Sequence, residues 1–138
     1  MKKYLIALVA LLVVATGCGN NKKLTCTMEE DGSKEEMIMT YKKDELVKIE
    51  GVSTIVSDVE VSKDEVAMYE GFACGMIQGM SEHIDCKVDA KGKEIKITIS
   101  MDIEKMSDEE LASLGYTKEG SSYEEMKKDA EADGYTCK

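Results

Sequence analysis

Cys26, Cys74, Cys86 and Cys137 have the widest chemical repertoire of any side chains in this sequence. A thiol can act as a nucleophile, hold a soft metal or pair into a disulfide, and spacing and compartment decide which. No Cys-x-x-Cys pair occurs, which argues against a dithiol oxidoreductase and against a common zinc spacing. His83 is the single histidine, with Glu82 and Asp85 beside it. It falls in an expected helix-to-strand loop, and no serine, cysteine or carboxylate stands at triad spacing from it. An exposed surface residue is the expectation. Met37 with Met39, and Met76 with Met80, could offer thioethers to copper(I). Each pair falls on the expected buried face of its element, so core filling is the plainer reading. The acidic runs Glu29-Glu30-Asp31 and Asp108-Glu109-Glu110 match no calcium loop and suit a turn and a helix N-terminus. The chain is therefore expected not to be an enzyme, with no catalytic residue, no metal ligand and no cofactor.

The compartment is set by a fifth cysteine. Lys2 and Lys3 precede an uncharged apolar run over residues 4–14. That run is too short to span a bilayer comfortably and reads as a signal peptide. The stretch Val13-Val14-Ala15-Thr16-Gly17-Cys18 resembles the lipobox of bacterial lipoproteins. The resemblance implies cleavage before Cys18 and acylation of Cys18, which places the chain on the extracytoplasmic face of the cell membrane. Ala15 stands where leucine is usual, so an ordinary signal peptidase cutting after Ala15-Thr16-Gly17 is the alternative. The expected organisation is a leader over 1–17, a lipidated cysteine and tether over 18–23, and one domain over 24–138. Each buried methylene adds about 0.8 kcal/mol, so two or three acyl chains anchor firmly where one is marginal. Outside the cytosol the remaining four cysteines default to disulfides, and three pairings are open. Cys74–Cys86 and Cys26–Cys137 are favoured, because the first ties the main helix to the next strand and the second ties the first strand to the tail.

Composition narrows the partners. With the leader removed, about 121 residues remain, enough for one core and too few for two. The chain has 18 basic and 28 acidic residues, and every basic one is lysine. Loss of Lys2 and Lys3 leaves a net charge near −12. Such a chain repels nucleic acid and anionic membrane surfaces, leaving the lipid as the membrane contact. Tryptophan is absent and phenylalanine occurs once, which argues against a glycan platform.

The hydrophobic pattern gives the elements. Leu24-Thr25-Cys26-Thr27-Met28 alternates as a half-buried strand, and Asp31-Gly32 turns the chain into a second strand. There Met37, Met39 and Tyr41 share one face, with Ile38 and Thr40 on the other. Lys42-Lys43-Asp44 leads into a third strand from Glu45 to about Val61, with a bulge or bend expected at Gly51. Ser62-Lys63-Asp64-Glu65 is a capping box that opens the main helix. Val66, Tyr69, Ala73, Ile77 and Met80 follow helical spacing, Phe72 and Met76 widen the stripe, and the helix ends near Ser81. A strand from Ile84 follows, then the strongest strand, with Ile95, Ile97, Ile99, Met101 and Ile103 on one face. Two short capped helices begin at Ser107 and Ser122 and stop at Gly115 and Gly134. Tyr135-Thr136-Cys137 is an extended tail.

The fold class is α+β: a five-stranded antiparallel sheet covered on one face by the main helix and two short C-terminal helices. Gly71, Gly75 and Gly79 recur every four residues along the main helix. Each costs up to about 1 kcal/mol relative to alanine, so the stripe needs a reason. Close packing on the chain's own sheet is the first expectation, and a docking face for another chain is the alternative.

The lipobox, the strand over 37–42, the turn Lys43-Asp44, the strand over 95–103 and the helix-and-tail over 125–137 together resemble the YehR-like group of small bacterial lipoproteins. The resemblance implies a fold and a location, and no functional residues. The expected function is a membrane-anchored, non-enzymatic extracytoplasmic lipoprotein that binds a partner protein or small ligand at the cell surface. The glycine stripe and the polar sheet face are the candidate surfaces. Metal handling, with copper or zinc, is the alternative.

Overall fold

Leu24, Met39, Ile49, Met101 and Ile84 occupy successive positions of one rung across five strands, and that rung floors the core. The structure, a computed structural model, describes residues 21–117 and 121–138. The sheet is antiparallel: β1 (Asn21–Glu30), β2 (Ser33–Lys42), β3 (Glu45–Val56), β4 (Ile84–Lys91), β5 (Glu94–Asp102) and β6 (Thr136–Cys137), in the order β4-β5-β3-β2-β1-β6. It has six strands among the described residues, not the five expected. The tail is the sixth, because Cys137 pairs with Cys26 and Thr136 with Thr27. Thr25 and Lys138 complete the ladder with backbone bonds of 3.0 and 2.8 Å. Two residues are too few to show an alternation in sequence.

Successive rungs put Leu24, Cys26, Met37, Met39, Tyr41, Ile95, Ile97, Ile99 and Met101 on the covered face, as alternation predicts. Two expectations for β3 fail. It ends at Val56, and residues 57–61 instead cross the β4–β5 turn, with Ser57 and Val61 donating to the carbonyls of Lys93 and Gly92. Gly51 keeps regular register opposite Met37 and Ile99, and the irregularity falls where Thr40 pairs with Lys48 but Tyr41 with Leu46. The extra residue there is Val47. It lets Leu46 and Ile49, three apart, both enter the core.

The β1–β2 hairpin turns on Asp31 and Gly32 at φ 47° and 82°, both left-handed as a two-residue loop demands. The β2–β3 hairpin uses Lys43 and Asp44 at φ 52° and 68°, without glycine. A side chain there costs about 1 kcal/mol or more. Replacing Lys43-Asp44 by Asn-Gly is expected to raise stability by about 1 kcal/mol, read as a higher urea midpoint with an unchanged slope.

The main helix is broken into α1 (Lys63–Tyr69), a π turn (Glu70–Cys74) and α2 (Gly75–Gln78). Ser62 and Glu65 form the expected capping box. The π turn is closed by Gly75 N–H donating to the Glu70 carbonyl, five residues back. At about 100° per residue, an unbroken helix would swing Cys74 away from Tyr69. The wider turn restores Cys74 to the sheet side, where it bonds to Cys86 on β4. α3 (Asp108–Ser113) carries its full capping box at Ser107. α4 (Tyr123–Ala132) is capped by Ser122, whose hydroxyl accepts from Glu125 N–H. The core divides in two. Cys74, Val88 and Ile95 pack beneath α1 and the π turn, while Leu24, Cys26, Met39, Tyr41, Leu111 and Ala130 pack beneath α3 and α4.

Candidate functional site

Val66, Tyr69, Cys74 and Ile77 turn toward the sheet, as their spacing and the π turn require. The opposite side of the same helix is also apolar. Met68, Phe72, Met76 and Met80 are 61 %, 72 %, 60 % and 48 % exposed. Against expectation, Phe72 and Met76 do not widen the core stripe and Met80 does not belong to it; they form an outward ridge four residues apart. A helix apolar all round normally has neighbours all round. Among the described residues only one side has them.

Gly71 and Gly75 lie on that exposed side, and a Cβ at either would meet nothing within 4 Å. A Cβ on Gly79 would meet only the helix's own carbonyl oxygens of Gly75 and Met76, at 3.3 and 3.6 Å. Close packing on the sheet does not account for the stripe. The ridge and the bare backbone beside it form one surface with no covering element among the described residues.

The four cysteines are joined as Cys26–Cys137 and Cys74–Cys86, separated by 111 and 12 residues. Cys26 and Cys86 stand on one rung, with Met37, Gly51 and Ile99 between them. The two bonds thus fasten opposite margins of the sheet to the tail and to the π turn. Cys18 and the leader lie outside the described residues.

His83 is half-buried rather than exposed, its Nε2 3.9 Å from the Glu82 carboxylate. Its loop holds a contact that sequence spacing did not reveal. Buried Ser81 accepts from His83 N–H at 3.1 Å and donates to Glu110 on α3. Glu110 also accepts from Ser107 N–H at 2.7 Å. The Ser81 bond, the Ser107 bonds and the nearby His83 hold its carboxyl down at about 2, against an ordinary 4.5. A depressed carboxyl stabilises the fold above its unfolded pKa and loses that effect as pH falls through the folded one. The stability advantage of the native chain over Glu110→Gln is thus expected to be full above pH 5 and to shrink between 4.5 and about 2, read by urea unfolding at stepped pH. The serine hydroxyl is engaged in holding the loop to α3, so the cluster is a staple.

Met39 is fully buried, and its sulfur accepts from the Tyr41 hydroxyl at 3.8 Å. Burial, with Asp44 nearby, pushes the Tyr41 phenol up to about 12. Met76 and Met80 are not core residues, which corrects that expectation. Among the described residues no group of three His, Cys, Asp or Glu side chains could hold a metal ion. No helix among them is long and apolar enough to cross a membrane.

A groove was also hidden in the sequence. It is a groove of about 450 Å³ between β2, the segment after α3, and α4. Met37, Leu114, Met126 and Ala130 line it, with Tyr116 and Tyr135. Asp129 on α4 and Asp133, the residue that ends it, are also among the lining residues. Tyr135 donates to Glu35 at 2.5 Å. That bond, burial, and the charges of Glu35 and Asp133 raise its phenol to about 12.

The fold is similar to solved structures. The chain is similar to the NMR structure of Escherichia coli YehR, at 14 % identity and a TM-score of 0.69, covering 88 % of this chain and 93 % of that one. It is also similar to the NMR structure of a protein from Streptococcus pneumoniae TIGR4, at 13 % identity and a TM-score of 0.57, covering 100 % and 97 %. The architecture is YehR-like. No protein-family model and no curated protein matches the sequence.

Proposed function

We propose that this chain is a membrane-anchored extracytoplasmic lipoprotein that performs no reaction and binds a partner protein at the cell surface. The observation that carries the reading is the uncovered ridge of Met68, Phe72 and Met76 beside the open backbone of Gly71 and Gly75. Contiguous exposed apolar surface favours association, and small residues let a partner backbone approach closely. Methionine and phenylalanine add an adaptable contact and a rigid anchor. The leader pattern and Cys18 support the location, and the two disulfides suit an oxidising compartment.

The test is in-cell crosslinking with a photoreactive residue in place of Phe72, and separately in place of Thr98 on the polar sheet face. A discrete protein adduct from the first position alone is expected. Equal adducts from both, or none from the first, would count against the ridge. Exposure of Met76 and Met80 supports copper handling as a second reading. It predicts copper(I) binding that Met76→Leu with Met80→Leu abolishes.

A further inference from the structure

We infer that the partner covering the exposed helix ridge is a second copy of this chain, joined through an antiparallel two-fold pairing of the helical segment over residues 63–80. This deepens the docking proposal and rests on it. Met68, Phe72 and Met76 recur every four residues on the exposed side, and the bare positions Gly71, Gly75 and Gly79 recur with the same spacing. Rows four residues apart are the ones that interdigitate when helices pack, the side chains of one helix entering the groove of the other. One surface thus carries both halves of a contact, and a two-fold axis lets each copy insert its ridge beside the bare backbone of the other. The Cys74–Cys86 bond fixes the middle of the segment to β4, so this surface is formed before association. The ridge side chains and the glycines expose on the order of 600 Å² per copy, and mutual cover removes about 1,200 Å², the lower limit of a standard stable interface.

Size and charge select the direction and the register. An antiparallel pair centred between residues 73 and 74 brings Phe72 level with Gly75, Met76 with Gly71 and Met68 with Gly79. A slip of one residue sets Phe72 level with Met76 in one direction and Met76 level with Glu70 in the other. A parallel pair sets Phe72 against Phe72 and Glu70 against Glu70. Residues 66–80 carry a single charge, Glu70, on a chain of net charge −10, so two acidic copies approach here with little repulsion. At each end the antiparallel pair brings exposed Lys63 of one copy within a helical turn of exposed Glu82 of the other. Lys63 belongs to none of the ion pairs found among the described residues, so it is available for that contact.

The test is photo-crosslinking in cells that make the full chain in two versions with different C-terminal peptide tags, one of them carrying the photoreactive residue in place of Phe72. The expected adduct has twice the mass of the chain and carries both tags. Peptide sequencing should place the bond from position 72 near Gly75 of the second copy, and a bond from the same probe in place of Met68 near Gly79. Lys63→Glu or Glu82→Lys, introduced alone in both versions, should lower the yield about threefold, and the two together should restore it. An adduct with a different protein would overturn the inference while leaving the docking reading in place, and no adduct at all would overturn both. Bonds joining position 68 to residue 68, or a yield that the charge exchange does not restore, would overturn the antiparallel pairing.

Discussion

Replacing both Cys26 and Cys137 by alanine is expected to cost about 4–5 kcal/mol, the largest stability effect of any change considered in this chain. The bond closes a loop of 111 residues, nearly the whole described domain. In the chain-entropy account, a loop of that length restricts the unfolded chain most. The native side adds to this. Cys26 is fully buried, and beyond this bond the tail is held by a short ladder with β1 and by the Tyr135–Glu35 hydrogen bond. The bond Cys74–Cys86 closes a loop of 12 and should contribute nearer 3 kcal/mol. Domains of this size have a total stability of about 5–15 kcal/mol, so the Cys26–Cys137 variant should lose a large part of it. Denaturant unfolding of each double variant measures this. A loss below about 1 kcal/mol for Cys26–Cys137 would show that the tail is held by packing and the ladder alone.

Gly71→Ala combined with Gly75→Ala is expected to raise stability by about 1–2 kcal/mol, because each alanine gains helix propensity. The new methyl groups meet nothing within 4 Å, so no clash offsets the gain. The two explanations of the stripe separate here. If the glycines existed to seat the helix on its own sheet, the same variant would destabilise the fold. A gain in stability would show that the chain tolerates side chains there, and that the cost of glycine is borne for something outside the domain. Under the docking reading the variant also weakens partner capture. A fall in the unfolding midpoint would sink the geometric argument.

Much of the fold was visible in the sequence where one signal acted alone. The alternation of Ile95, Ile97, Ile99 and Met101 marked β5, and Asp31-Gly32 marked the turn between β1 and β2. Ser62 and Ser107 marked helix starts that the structure caps as expected. The pattern failed where a tertiary constraint overrode a local one. Gly51 looked like a break, yet its neighbours hold register, and the bulge moved to Val47 so that Leu46 and Ile49 could both be buried. Phe72, Met76 and Met80 looked like core because 3.6-residue spacing assumes an unbroken helix. The π turn that delivers Cys74 to Cys86 invalidates that assumption. A warning sign was present in the composition of the helix, which is apolar on more than one side. The groove had no such sign. Met37 is 77 residues and more from Leu114 and Met126, and no short-range pattern joins them.

The docking face is tested most directly by crosslinking in cells from position 72 in chains that also carry Gly75→Leu, with the unfolding midpoint of the same chain measured alongside. A leucine there has open space in the folded chain but obstructs an approaching backbone. The expected result is loss of the discrete adduct with a midpoint equal to or above that of the native chain. An adduct that persists, or a midpoint that falls with the adduct, would contradict a docking surface and return the glycines to the packing of the domain itself.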